Sequence, residues 1–322
     1  MYKTFPGILL CLLIAVPAWF LGQLLPITGG AVTGLLLGML LAGFWRYPAI
    51  FIPGIRIASK RILQAAIILL GFQMNLGTVA QQGGKSLFLI FSAITTALLI
   101  SFIIGKILGT AANETILIGV GTAICGGSAI AAVSPVIEAK DSEVASAVSV
   151  IFLFNIIAVV IFPALGRLIG MDDGVFGAWA GAAINDTSSV VAASYSYSGT
   201  AGDTATIIKL TRTLFIIPVT LGLALIRSKK GSGSRFNPRK AFPLFIAFFV
   251  IACVINASGL ISGHITSALG SISKFMIVIA MTAIGLGTNL KSLARHGKKP
   301  ILLGLCCWVS VAAVTLLIVN LT

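Results

Sequence analysis

The chain predicts an all-α polytopic membrane protein with about eleven transmembrane helices, an inverted repeat and two broken helices. Three observations carry that reading. Of the 322 residues, 58% are hydrophobic and 9% charged, at a mean hydropathy of +1.09, outside the range of soluble domains. The apolar residues come in runs of about 20, the length a helix needs to cross hydrocarbon, whereas barrel strands would alternate over about ten. Two runs are interrupted by glycine and polar residues, at Gly121 to Ser134 and Gly181 to Ser194. Within a bilayer such a break is tolerated only where freed backbone groups find partners or line a wet cavity.

Taken in order, the spans fall near 7–25, 27–45, 58–80, 86–109, 115–135, 143–165, 175–197, 204–226, 241–258, 271–290 and 300–320. They form a single transmembrane domain, 1–322. The first follows Lys3 like a signal peptide, but Val16, Pro17, Ala18, Trp19 and Phe20 stand where a small-residue cleavage site belongs, so it reads as a spanning helix. Between spans eight and nine, residues 228–240 form a polar, basic cytoplasmic linker that can touch anionic lipid heads.

The net charge of +14 would suggest nucleic acid in a soluble protein. Here the cations gather in short loops: Arg46, Arg56, Lys60 and Arg61, then six basic residues from Arg227 to Lys240, then four from Lys291 to Lys299. Positive charge stays on the cytoplasmic side, which places the N-terminus inside and the C-terminus outside, with no nucleic-acid partner. The five cysteines lie in apolar segments without CxxC spacing, so neither a metal nor a cofactor is expected.

Two internal matches suggest duplication. At a spacing of 60 the broken segments share Gly121/Gly181, Ala123/Ala183, Ile124/Ile184, Ser128/Ser188, Ala132/Ala192 and Ser134/Ser194. At a spacing of 214, Ser59/Ser273, Lys60/Lys274, Gly71/Gly285, Asn75/Asn289 and Lys85/Lys299 coincide without a gap. Spans three and ten run oppositely, as the halves of an inverted-repeat transporter do. Spans five and seven run parallel by this count, which does not suit symmetry mates. A miscounted span, a re-entrant hairpin and convergence each resolve it, and sequence does not choose.

The candidate site gathers Thr122, Gly126, Gly127 and Ser128 from the first break and Asn185, Asp186, Thr187 and Ser188 from the second. A half-helix starting after a break offers unpaired N–H groups and a positive dipole end to an anion; the carbonyls of the preceding half suit a cation. A mid-membrane carboxylate costs several kcal/mol unless paired, protonated or hydrated, so Asp186 is the first functional candidate and the coupling residue. Lys209 and Arg212, three apart on span eight, share a face. They are placed to hold Asp186 in the empty state and substrate oxygens in the filled state, unless they snorkel to the outer interface. Asn155 is read as bonding a neighbouring helix, and Asn75 and Asn289 as capping the breaks.

Gly285 to Pro300, together with Gly121 to Pro135 and Ala183 to Ser188, resembles the YeiH family of conserved bacterial inner-membrane proteins across essentially the whole chain. That resemblance implies sulfate export. The same glycine and Asn289-Leu290 end, followed by a basic loop and Pro300, is similar to sodium/proton antiporters and bile-acid-type transporters. It implies a panel moving against a core of crossed, broken helices.

The expected function is therefore secondary active export of a small inorganic or organic oxyanion such as sulfate by alternating access, linked to protons through Asp186. The alternative on the same fold is a sodium or cation/proton antiporter. A membrane scaffold or an intramembrane enzyme forms the alternative of another class. The spans carry no facing aspartate pair and no His-rich helix, and no GxxxxGK[ST] loop occurs, so no enzyme activity and no ATP drive are expected. A homo-oligomer is compatible with all of this.

Overall fold

The computed structural model describes residues 4–24, 29–45, 47–74, 76–228, 244–259, 261–288 and 297–321. The linker expected at 228–240, apart from Ser228, lies outside the described residues, as do Asn75 and Asn289. Every regular element among the described residues is helical.

Two long helices, α1 (Phe5–Leu24) and α2 (Gly29–Phe44), open the chain. Next come α3 (Ile52–Ile57) and α4 (Leu63–Gly71), joined without interruption by one π-helical turn at Ala58–Ile62, then the short α5 (Leu76–Lys85). The middle of the chain holds α6 (Leu87–Leu108), α7 (Ala112–Ala123), α8 (Gly127–Val133), α9 (Asp141–Leu168), α10 (Asp173–Ala183), α11 (Thr187–Tyr197), α12 (Gly199–Leu214) and α13 (Ile216–Ser228). The last three are α14 (Leu244–Ala257), α15 (Gly263–Gly287) and α16 (Lys298–Leu321). By length and composition six helices among the described residues can cross a membrane: Phe5–Gln23, Leu87–Leu108, Ser142–Leu168, Gly199–Ile226, Gly263–Gly287 and Lys298–Leu321.

The two broken segments do not run through the bundle as the sequence reading expected. Asn113, at the start of α7, donates to Glu143 at the start of α9 over 3.3 Å. Further along, a Cβ on Gly121 would meet both Ile130 of α8 and Ile151 of α9 at 3.0 Å. Thus α7 and α9 run parallel, and α8 is the returning arm of a hairpin. The second break behaves alike. The Tyr197 ring stacks on Phe176 at 3.9 Å, and its hydroxyl donates to Met171 O at 2.5 Å, so the end of α11 lies beside the start of α10. Cβ atoms on Gly177 and Gly181 would stand 2.7 Å from the carbonyls of Ala201 and Ala205, which sets α12 parallel to α10 at a distance only glycine permits. The expectation that 115–135 and 175–197 each cross is therefore corrected: each turns back at its break.

Each turn has a local cause. After Ala123 the chain reverses at Gly126, whose φ of 64° and ψ of −124° are open only to glycine. In the second hairpin Ile184 is extended, and Asp186 caps α11 by accepting from Ser188 N at 3.0 Å. The hairpins enter from opposite ends, because α9 carries the chain from one end of the bundle to the other between them.

Packing divides the helices into two bodies. One buries Leu117, Ile124, Ile130, Ile151, Phe162, Trp179 and Val311, and so joins α6 to α13 with α16. Phe162 stacks on Trp179 with ring centroids 4.3 Å apart, and Trp179 Nε1 donates to Ala312 O at 2.9 Å, fastening the second hairpin to α16. The other body is a panel of α1, α2, α3, α4, α14 and α15, buried around Leu35, Leu70, Phe249, Val278 and Met281. Val159, Val191, Ala192, Ile207 and Leu210 of the hairpin body pack against it, so the seam between the bodies is largely apolar.

Candidate functional site

The hairpin tips meet in the middle of the first body. Asn155, on α9, accepts from the Asp186 backbone N–H at 3.1 Å, as its reading as an interhelical partner expected. A Cβ on Gly126 would lie 3.6 Å from Asp186 Cβ and 3.8 Å from Asn155 Nδ2. The Asp186 carboxylate accepts from the backbone N–H and from the hydroxyl of Ser188. It is partly exposed.

A cavity of about 330 Å³ opens beside these tips, at the seam with the panel. The hairpins contribute Gly127, Ser128, Asp186, Thr187 and Ser188, α9 contributes Asn155, and the panel contributes Ser59, Lys60 and Gln64. A neighbouring cavity of about 420 Å³ shares Ser59, Phe152 and Ile284 with it and adds Tyr47 and Arg56. Together they line a path from the end of the bundle where α3 starts to the hairpin tips, with Arg56 and Lys60 along it. The path ends at the N-terminal turn of α11, where the helix dipole favours negative charge and the Asp186 carboxylate already holds the Ser188 N–H.

On the other side of the tips lie Lys209 and Arg212, both fully buried. Lys209 Nζ donates to Ile124 O at 2.5 Å and to Ile184 O at 3.1 Å. Arg212 Nε donates to Ala123 O at 2.7 Å, Nη2 to Thr122 O, and Nη1 to Ala182 O and, at 3.4 Å, to Ile184 O. These are the carbonyls that α7 and α10 leave unpaired at their ends, each carrying a negative dipole end. The two cations therefore join one hairpin to the other. Neither bonds Asp186, and neither snorkels to an interface.

Of the ten residues singled out from sequence, the structure brings Gly127, Ser128, Asp186, Thr187 and Ser188 to the cavity wall. Gly126 makes the turn behind them. Thr122 and Asn185 are buried, with the Thr122 hydroxyl and both Asn185 amide atoms lacking a protein partner. Sequence reasoning missed Ser59, Gln64 and Lys60 as wall residues and read Lys60 as a loop cation. The signal was present in the Ser59-Lys60 match to Ser273-Lys274.

The model of a family described as conserved hypothetical protein 698 matches residues 6–304. Among curated proteins, the chain is 50% identical over 325 residues to a UPF0324 membrane protein of Streptococcus pyogenes serotype M18, covering 98% of this chain and 96% of that one. It is 46% identical over 331 residues to a UPF0324 membrane protein of Fusobacterium nucleatum, covering 96% of each. A UPF0324 membrane protein of Streptococcus mutans is 45% identical over 329 residues, covering 98% and 96%. Each of these names states a membrane protein.

Proposed function

From a chain that belongs to the conserved hypothetical protein 698 family, the UPF0324 or YeiH family of membrane proteins, we propose a secondary active transporter that exports a small oxyanion such as sulfate by alternating access. The observation that carries this reading is the pair of opposed hairpins whose tips share one cavity with Asp186, reached past Arg56 and Lys60. Hairpin tips expose backbone donors and change access by small movements, which suits a site that opens to one side at a time. The apolar seam supports a panel that slides or rocks against the hairpin body without breaking polar bonds.

In this reading the chain makes nine crossings and two re-entrant hairpins, not eleven crossings. The units α7 to α9 and α10 to α13 then form an inverted repeat, because each contains one crossing and one return. This supports the spacing-60 match as true symmetry and removes the conflict between parallel segments. It also moves Lys140 to the side of the other basic loops and Asp172 and Asp173 to the opposite side, in better accord with positive-inside orientation. The N-terminus stays cytoplasmic and the C-terminus outside, in the bacterial inner membrane.

Asp186 links proton and anion. A charged carboxylate repels the anion at the cavity end and a protonated one does not, so each ligand raises the affinity for the other. Sulfate leaving with one proton carries a net single negative charge, which an inside-negative potential drives outward. The protein acts as a carrier and not as an enzyme.

The same carboxylate favours the second reading, a sodium or cation/proton antiporter. Against it, the hairpin carbonyls that would coordinate sodium are already occupied by Lys209 and Arg212. Vesicles containing the purified protein and loaded with labelled sulfate or labelled sodium separate the two. Sulfate release that is saturable and indifferent to sodium is expected; sodium flux without sulfate flux would replace the first reading by the second.

A further inference from the structure

The seam between panel and hairpin body holds a second cavity, of about 290 Å³, lined in part by Trp19, Gln23, Tyr195, Gly199 and Lys274. It lies at the opposite end of the bundle from the path to Asp186. There α1 finishes and α12 begins, whereas the start of α1 packs on α3, with a Cβ on Gly7 falling 2.7 Å from Gly54 Cα. The Lys274 ammonium stands over the Tyr195 ring, 5.7 Å from its centroid. The Tyr195 hydroxyl donates to Asp203 Oδ1 at 2.5 Å. One cation from the panel thus faces a phenol and a carboxylate from the hairpin body.

The two cavities correspond. Lys60 lines the first and Lys274 the second, and these are matching positions of the spacing-214 repeat. Their helices are antiparallel, since Ser273 Oγ donates to Ala66 O at 2.6 Å and a Cβ on Gly270 would overlap Gln73. Each cavity therefore receives one lysine from the panel, at its own end of the bundle.

We propose that this outer vestibule is a second binding station for an oxyanion, with Lys274 as its counter-charge and the Tyr195–Asp203 pair as the partner that holds Lys274 when the station is empty. The proposal rests on the oxyanion reading above and deepens it. An anion arriving from the hairpin tips draws Lys274 off the ring and loosens the cation–π contact that bridges the seam here. Release of the anion restores that contact. A cation over an aromatic face is held weakly enough for such an exchange.

The test uses the full-length protein in vesicles, with Cys306→Ser as background and Gly199→Cys as reporter, since a Cβ at Gly199 has open space around it. Labelling rates are measured with an impermeant anionic reagent, the sulfonatoethyl methanethiosulfonate, and with its trimethylammonium analogue. The sulfonate is expected to react faster, Lys274→Met to lower the anion-to-cation rate ratio about fivefold, and Lys274→Arg to keep it. Added sulfate is expected to slow sulfonate labelling in the parent and not in Lys274→Met. A ratio unmoved by Lys274→Met, or labelling indifferent to sulfate, overturns the station. Sulfate protection at Gly199→Cys in a protein that carries no sulfate flux would instead uphold the station and remove the transport reading.

Discussion

Asp186 keeps its place through two donors from Ser188 and through its own N–H to Asn155, and asparagine caps helices about as well as aspartate. Its substitution by asparagine therefore removes charge and proton while leaving the hairpin folded. Lys209 and Arg212 carry a different load. Lys209→Met leaves the Ile124 carbonyl without its donor and Ile184 O with only the 3.4 Å bond from Arg212, at an expected cost of about 2–4 kcal/mol. Thermal unfolding in detergent reads this as a clear drop in midpoint, whereas Lys60→Met, on the cavity wall, is expected to leave the midpoint near that of the parent. Asp186 was legible in the sequence because a carboxylate in an apolar run demands an explanation. The role of the two cations was not, because their partners are main-chain oxygens 25 to 90 residues away, and every residue type has one.

At the scale of elements, the breaks themselves were legible at Gly121 to Ser134 and Gly181 to Ser194, but their topology was not. A helix that unwinds and continues and a helix that unwinds and returns show the same glycines and hydroxyls. What separates them is pairing at long range, Asn113 with Glu143 and Met171 with Tyr197, which one sequence does not display. Gly126→Ala is expected to cost about 1–3 kcal/mol, because its φ of 64° with ψ of −124° strains any side chain; Gly127→Ala, with open space at its Cβ, provides the comparison in the same unfolding experiment. Cysteines placed at Thr110 and Glu138 should label from one face of the membrane, and those at Gly170 and Gly199 from the other. Labelling of Thr110→Cys and Glu138→Cys from opposite faces would restore the eleven-crossing count and remove the hairpins.

For the whole molecule, composition alone established a helical membrane protein, since nothing else accommodates 58% hydrophobic residues in runs of this length. A panel set against a core of broken helices was implied by the family resemblance, but which helices belong to each body came only with packing, because both bodies are built from equally apolar helices and differ in which faces meet. That division makes the central claim specific: an oxyanion and a proton share a cavity at the seam, and Asp186 couples them. The most direct measurement is sulfate affinity as a function of pH for the parent and for Asp186→Asn in the same vesicles, over a pH range in which sulfate itself stays a dianion. The expected result is parent affinity that weakens as pH rises and Asp186→Asn affinity that stays high and flat. An equal pH dependence in both proteins, or a parent that neither binds nor releases sulfate, would contradict the account.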